Sequence, residues 1–412
     1  MLARAYISNA LSTIVKIISG IFLLRYFSGI LGKNGFGLAS QFQSLALLIY
    51  AFFYAFFFNH IVKDKNIAIS NYVFRKILGI VLIVAIFVSI LLFMLSHFIS
   101  MLLFENLESV KAIYILALLS PFTAYYVALS AKFCAEEKLL SYNIFNASGL
   151  VVSTLCIFLL TKIYGLIGAY IGFALYFLFP MLFLCVNAFL TYSNFRLLIP
   201  SFKDLNKYAD WRLIKIASFG IFSAINAISL QLFLRRYLAS TENWSTVGDW
   251  QAITKVSESY LLLVTIPLTT FLLPKIVNSK NIFHQKKLIR DSILIGLIIT
   301  FIVGSIIFLF WNGVIVKIIG ESFSDLHTLW LIQIGGDLFK VVTWTLGILA
   351  IAKMELKIAL ISELIYSSIY IFLVVFLTPI YHIQGPFIAY TIGYLITCSY
   401  FLFHYEFLVM HD

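Results

Sequence analysis

Long apolar runs separated by short polar stretches recur along the whole chain. Each run has about 20 residues or more, the length that an α-helix needs to cross the hydrocarbon core of a bilayer. Gly or Pro closes several runs, as at Gly32, Pro274 and Gly385. The pattern predicts twelve membrane helices, at residues 3–30, 36–62, 77–104, 112–131, 139–161, 165–190, 214–238, 246–274, 291–316, 327–352, 358–378 and 385–408.

Composition supports an all-α integral membrane protein. Hydrophobic residues make up 62% of the 412 residues and charged residues only 11%, whereas a soluble domain has roughly 25% charged residues. The net charge of +11 does not indicate nucleic-acid binding, because basic residues of a membrane protein mostly report its topology.

Lysine and arginine are unevenly distributed between the loops. They crowd the loops that follow the even-numbered runs. Basic residues stay on the cytoplasmic side, so both termini are predicted to be cytoplasmic. The loops after the odd-numbered runs carry only Lys33, Lys111, Lys162 and Lys317.

The two halves of the chain resemble each other. The segment FLLRYFSGI (22–30) is echoed by LFLRRYLAS (232–240), and AKFCAEEKLLSYNIF by AKMELKIALISELIY. Such self-similarity at a near-constant offset indicates a duplicated unit. We therefore expect two pseudo-symmetric six-helix lobes, at 1–190 and 214–412, facing a central cleft and joined by a cytoplasmic linker at 191–213.

Charged residues inside the apolar runs are the candidate site. A cation at the centre of a bilayer costs roughly 2.5–3.5 kcal/mol, so such residues are expected to face a cavity. An anionic group is a suitable ligand for these cations. The candidate substrate-binding cations are Lys16, Arg25, Arg235, Arg236, Lys255 and Lys340, and the candidates for gating or ion coupling are Asp249, Glu258, Asp337 and Glu363.

Simpler roles are open for several of these residues. Lys255 with Glu258, and Asp337 with Lys340, have the spacing of an ion pair on one helix face. Asp249 is a gate, a coupling site or a partner of the helix dipole.

Two roles are also open for the paired arginines, for Glu363 and for the aromatic runs. Arg235 and Arg236 either bind substrate or cap the periplasmic helix end, and Glu363 either carries a proton or has a structural partner. The aromatic runs 49–60 and 124–129 are predicted to face lipid or the membrane interface, unless they stack on sugar rings.

No enzyme is expected. The chain has no acid pair, nucleophile triad or phosphate loop in a credible context, no metal-ligand spacing and no soluble catalytic domain. A membrane glycosyltransferase or polymerase would need a large external loop. A cation antiporter would favour an interior dominated by acids, but here six deep cations face four acids.

Several motifs in order resemble the Wzx-type lipid-linked oligosaccharide flippases of the MOP superfamily. The resemblance implies two lobes that alternate access and move an undecaprenyl-pyrophosphate-linked oligosaccharide, an O-antigen repeat unit, across the bacterial inner membrane. Lys16, Asp337 and Lys340 lie in the matching motifs. These motifs are STIVKIISG (12–20), GKNGFGLASQFQSL (32–45), VGDWQAITKVSESYL (247–261), FLLPKI (271–276) and GGDLFKVVTW (335–344).

The resemblance also bears on cargo, energy and partners. A lipid III (enterobacterial common antigen) flippase and, more remotely, a MATE-like cation or drug antiporter are the competing functions. No cofactor is expected. Membrane potential or an H⁺ or Na⁺ gradient is expected to supply the energy for transport. The expected partners are membrane lipids, an O-antigen polymerase and a chain-length regulator, with no nucleic acid.

Overall fold

The computed structural model describes residues 2–58, 71–136, 138–192, 199–202, 211–268, 272–279 and 281–410. Every regular element within these ranges is helical, which confirms the all-α class. The α-helices are α1 (Leu2–Ile30), α2 (Gly32–Phe53), α3 (Asn71–Met94), α4 (Ser96–Phe104), α5 (Val110–Ala135), α6 (Leu139–Ala174), α7 (Leu178–Tyr192), α8 (Trp211–Thr241), α9 (Trp244–Pro267), α10 (Leu273–Asn278), α11 (Ile282–Leu309), α12 (Val316–Ile319), α13 (His327–Ala352), α14 (Leu356–Tyr381), α15 (Gln384–Phe403) and α16 (Tyr405–Met410). Two π-helical turns, Tyr54–Phe58 and Trp311–Ile315, and a 3₁₀ turn, Glu321–Leu326, complete the described elements.

Nine segments of the described residues are long and apolar enough to cross a membrane. One of them, Leu139–Tyr192, has 54 residues, a length that suits two crossings. The chain is therefore a multi-pass membrane protein, and the count of twelve spans stays a prediction. The other segments are Thr13–Ile30, Gly32–Phe53, Tyr72–Met94, Val110–Ala135, Ile282–Leu309, Glu321–Ala352, Leu356–Tyr381 and Gln384–Phe403.

The predicted break between residues 161 and 165 falls on a kink, whereas the predicted start of the helix at 291 is wrong. Within the range of α6 the backbone leaves the helical conformation at Gly165, with φ +58°. Just after this kink a Cβ at Gly168 would lie 1.9 Å from the carbonyl oxygen of Leu160. Helix α11 begins well before the predicted start at 291, because the Asn281 side chain caps it by accepting hydrogen bonds from two backbone N–H groups.

The described helices form two compact units. The first unit contains Met1–Leu31 and Leu38–Leu232, and the second contains Gly32–Gly37 and Phe233–Asp412. The predicted lobe and linker boundaries stay a prediction, and much of the linker 191–213 lies outside the described residues.

The aromatic runs pack inside the first unit. Phe53 and Val127 are both completely buried, and the Tyr50 ring stacks on Phe177 with centroids 4.6 Å apart. Close packing rather than contact with lipid therefore explains these runs. The prediction that they face lipid is wrong for most of the described residues, although Tyr54 is 37% exposed; positions 59 and 60 lie outside the described residues.

A charged cluster joins three helices of the first unit at the turn after α5. The Glu136 carboxylate forms two ion pairs: its Oε1 atom lies 2.8 Å from Lys132 Nζ, and its Oε2 atom lies 2.8 Å from Lys138 Nζ. The Tyr192 hydroxyl also donates a hydrogen bond to this carboxylate. Burial alone would raise the pKa of Glu136, but the hydrogen bonds from Lys132, Lys138 and Tyr192 hold it below its usual value. The cluster thus fastens α5, α6 and α7 to one another.

Candidate functional site

The side chain of Asp337, on α13 of the second unit, is completely buried. Its carboxylate accepts hydrogen bonds from Ser257 Oγ at 2.7 Å, Tyr260 Oη at 2.6 Å, Gln333 Nε2 at 2.9 Å and Tyr390 Oη at 2.7 Å. A carboxylate has about four lone-pair sites. All of its accepting capacity is therefore used by neutral groups of the same unit.

Two features of the sequence bring the hydrogen-bond donors to Asp337: the spacing of residues along α9 and a glycine next to Asp337. Ser257 and Tyr260 lie three residues apart on α9 and so share a face. Next to Asp337, a Cβ at Gly336 would lie 2.3 Å from Cδ1 of Tyr390. Only glycine lets α15 approach closely enough for the Tyr390 hydroxyl to reach the carboxylate.

Lys340, one turn after Asp337, rests among aromatic rings. Its Nζ atom lies 4.6 Å from the ring centroid of Trp344, 5.4 Å from that of Tyr390 and 5.6 Å from that of Tyr394. Ring faces attract ammonium groups, by about 2 kcal/mol when the pair is desolvated. Among the described residues, Lys340 has no ion-pair or hydrogen-bond partner. The predicted Asp337–Lys340 ion pair is wrong, because other donors already occupy the carboxylate.

The other predicted pair forms. Lys255 Nζ lies 2.9 Å from Glu258 Oε2 on α9, and both side chains are half-buried. The simpler interpretation, that these two residues neutralise each other, is therefore confirmed, whereas their roles in substrate binding and coupling stay predictions.

Asp249 pairs with a lysine that is distant in sequence. Lys33 Nζ lies 2.7 Å from Asp249 Oδ1. The first turn of α9 contains no acid, and Asn243 caps it by accepting a hydrogen bond from the Thr246 N–H. The interpretation of Asp249 as a partner of the helix dipole is therefore wrong.

Two glycines bring Lys33 to Asp249. A Cβ at Gly37 would lie 2.8 Å from the carbonyl oxygen of Trp244, and one at Gly248 would lie 2.3 Å from that of Lys33. The segment Gly32–Gly37 is thus seated directly on the backbone of α9, a geometry that suits the predicted gating role of Asp249.

The paired arginines of α8 are held within the second unit. Arg235 is 2% exposed, its Nε donates to Gln251 Oε1 at 2.9 Å, and its guanidinium lies 5.5 Å from the Trp250 ring centroid. Arg236 is half-buried. Substrate binding by either arginine stays a prediction.

The cations of α1 are placed differently. Lys16 and Arg25 are both exposed on the first unit, and neither forms an ion pair within the described part of the chain. Glu363, on α14, is half-buried and close enough to Tyr394 to interact with it electrostatically. Substrate binding by Lys16 and Arg25, and coupling by Glu363, stay predictions.

Comparison with known proteins gives two concordant results, although no family model matches the chain. The chain is 23% identical over 409 residues to the lipid III flippases of Escherichia coli (strain K12) and Shigella flexneri, covering 97% of this chain and 96% of each relative. It superposes on the lipid II flippase MurJ in an inward closed conformation with a TM-score of 0.76 and 16% identity, over 98% of this chain and 87% of MurJ.

A second structure decides the fold class. An inward-facing multidrug resistance MATE family transporter of the MOP superfamily matches with a TM-score of 0.71 and 14% identity, over 98% of both chains. The chain has the fold of the MOP transporters. Because MOP transporters of this fold include both lipid flippases and drug transporters, the cargo must be argued from the site.

Sequence reasoning missed most partners of Asp337. Ser257, Tyr260 and Gln333 were not singled out, and Tyr390 stood out only through its segment FIAYTIGYL (387–395), which echoes IGAYIGFAL (167–175) of the first half. The available signal was spacing, since Gln333 lies four residues before Asp337 in an otherwise apolar helix.

Proposed function

We propose that this protein moves an undecaprenyl-pyrophosphate-linked oligosaccharide from the cytoplasmic to the periplasmic leaflet of the inner membrane. The similarity to lipid III flippases over nearly the whole chain supports this class of cargo. Twelve spans, two six-helix lobes that alternate access and cytoplasmic termini belong to the same proposal.

The observation that carries the proposal is the contrast between Lys340 and the acids of the second unit. The Lys340 ammonium lies beside three aromatic rings and has no hydrogen-bond or ion-pair partner among the described residues, so its N–H groups remain available for phosphate oxygens. Asp337, Asp249 and Glu258 already have partners. The site is therefore suited to an anion.

The same contrast argues against a cation or drug antiporter. A cationic cargo needs an accessible carboxylate, but Asp337 is 0% exposed and its lone pairs are filled. Glu258 is neutralised by its neighbour Lys255. Export of cations is accordingly the weaker candidate function.

The energy source follows from the charge of the cargo. Outward movement of an anion from an electrically negative cell interior is downhill by roughly 2.3 kcal/mol per charge per 100 mV. We propose that membrane potential supplies part of the drive. An H⁺ or Na⁺ gradient acting through Asp249, Asp337 or Glu363 adds to it, and no cofactor takes part.

Two glycans are candidates, an O-antigen repeat unit and lipid III. The names of the relatives favour lipid III. Complementation separates the two: the gene is introduced into one strain that lacks its O-antigen flippase and another that lacks its lipid III flippase. Restored surface glycan in one strain identifies the cargo. Failure in both strains, with the protein present in the membrane, contradicts the proposal.

A further inference from the structure

Five tyrosines of the first unit gather at one place. The Tyr50 ring centroid lies 5.7 Å from that of Tyr54 and 6.0 Å from that of Tyr126. The Tyr176 ring centroid lies 5.1 Å from that of Phe177, on which the Tyr50 ring stacks, and Tyr142 is close enough to Tyr50 to interact with it electrostatically. These residues come from α2, the π-helical turn after it, α5, α6 and the connection between α6 and α7. We call them the tyrosine cluster.

The tyrosine cluster has a buried floor and a more accessible upper layer. Phe177 and Tyr126 are 6% and 5% exposed and form the floor. The Tyr50 ring is nearly parallel to that of Phe177, with an interplanar angle of 9°. Tyr50 and Tyr176 are half-buried, and Tyr54 is 37% exposed. The upper rings are thus partly open to a neighbouring molecule.

The hydroxyl groups distinguish the two layers. The Tyr126 hydroxyl donates to Asn146 Oδ1 at 2.8 Å. By contrast, the Tyr50 and Tyr176 hydroxyls have no hydrogen-bond partner among the residues that the structure describes. Neither hydroxyl oxygen is among the fully buried atoms that have no partner, so both can exchange hydrogen bonds with a molecule outside the chain.

The choice of residue is also informative. The chain contains 41 Phe and only 23 Tyr, and phenylalanine would fill the same volume without an unsatisfied hydroxyl. Tyrosine at positions 50 and 176 therefore indicates a surface that needs both an apolar ring face and a hydroxyl group.

We propose that the tyrosine cluster binds the glycan portion of the cargo. This inference rests on the proposed function, which requires a neutral polyhydroxylated group beside the anionic pyrophosphate. The C–H face of a sugar ring packs on the tyrosine rings, and sugar hydroxyls exchange hydrogen bonds with Tyr50 and Tyr176.

The test compares two ligands that differ only in the sugar. Lipid III and undecaprenyl pyrophosphate, both radiolabelled, are bound at equilibrium to the purified full chain in nanodiscs. Tyr50→Leu should weaken binding of lipid III about tenfold, and Tyr176→Phe, which keeps the ring, about threefold. Neither should alter binding of undecaprenyl pyrophosphate. The matched control is Tyr164→Leu in the same unit, whose ring is 61% exposed and which should change neither affinity.

Each remaining outcome has a definite meaning. An equal loss for both ligands makes the tyrosine cluster structural and overturns the inference. Unchanged binding of lipid III by both variants overturns it as well, as does equal affinity of the unsubstituted protein for the two ligands. If the unsubstituted protein binds neither ligand, the proposed function itself fails. Tyr176→Phe keeps the test valid if Tyr50→Leu does not fold.

Discussion

The two segments that echo each other in sequence place their arginines in different surroundings. Arg25, on α1 of the first unit, is exposed. Arg235, on α8 of the second unit, is 2% exposed and donates to Gln251. A duplicated motif has thus produced an available cation in one unit and an internal anchor in the other.

Tyr170 and Tyr390, which also correspond in the repeat, differ in the same way. In the first unit the Tyr170 ring stacks on Phe42 with centroids 4.9 Å apart. In the second unit the Tyr390 hydroxyl donates to Asp337. Both units thus have a tyrosine at this position, but only in the second unit does its hydroxyl take part in a polar network. Hydrogen-bonded charged and polar groups of the second unit should therefore affect stability, whereas Lys340 and the cations of α1 should affect transport.

The largest effect is expected at the centre of the polar network. Asp337→Leu leaves four donors without their acceptor, and each unsatisfied group costs roughly 1–3 kcal/mol. The protein should largely disappear from the membrane, as measured by immunoblot of membrane fractions. Asp337→Asn, which keeps the volume and one accepting oxygen, should lose less. A normal level of Asp337→Leu would mean that the network does not hold the unit together.

Arg25→Ala should leave the amount of protein and its melting temperature unchanged while reducing glycan export at least tenfold. Arg25→Lys should restore part of the export, because the charge is kept although the bidentate guanidinium is lost. Lys16→Ala should behave like Arg25→Ala. The measurements are surface glycan by gel and protein level by immunoblot; normal export in both Ala variants would show that these cations do not contact the cargo.

Arg235→Ala should lower stability rather than act on transport directly. It deprives Gln251 of its charged donor, at a cost of about 1–3 kcal/mol, and the melting temperature of the detergent-solubilised protein should fall. The partner variant Gln251→Leu should have a similar effect, and the double variant should lose less than the sum. Additive losses would disprove the coupling between the two side chains.

The smallest effect is expected for the ion pair of Lys33 and Asp249, whose side chains are 27% and 15% exposed. Pairs that water reaches contribute about 0.2–1 kcal/mol. Lys33→Ala should therefore shift the melting temperature only slightly, and the charge-swapped Lys33→Asp/Asp249→Lys variant should return it towards the original value. A shift as large as that of Arg235→Ala would contradict this ranking.

Local features of the fold were predictable from the sequence and distant ones were not. The apolar runs predicted the helices because their length reflects the bilayer, and Lys255 with Glu258 was predictable because both lie on one face of α9. The start of α11 was missed because it depends on an asparagine cap that hydropathy does not register.

Asp337 shows why most of the candidate site was beyond sequence reasoning. Its donors Ser257, Tyr260 and Tyr390 lie 80, 77 and 53 residues away along the chain. The local spacing of Asp337 and Lys340 favoured an ion pair, but these distant donors filled the carboxylate first. The packing of α9, α13 and α15 therefore determines which side chains bind the Asp337 carboxylate.

The most direct test measures transfer of lipid III across the membrane of proteoliposomes that contain this protein. With an imposed inside-negative potential, transfer from the inner to the outer leaflet should accelerate, since two negative charges gain about 4–5 kcal/mol per 100 mV. Lys340→Ala should abolish the transfer while the protein remains folded. Lipid III that stays in the inner leaflet, in proteoliposomes that instead extrude a cationic dye, would contradict the assignment of an anionic lipid-linked cargo.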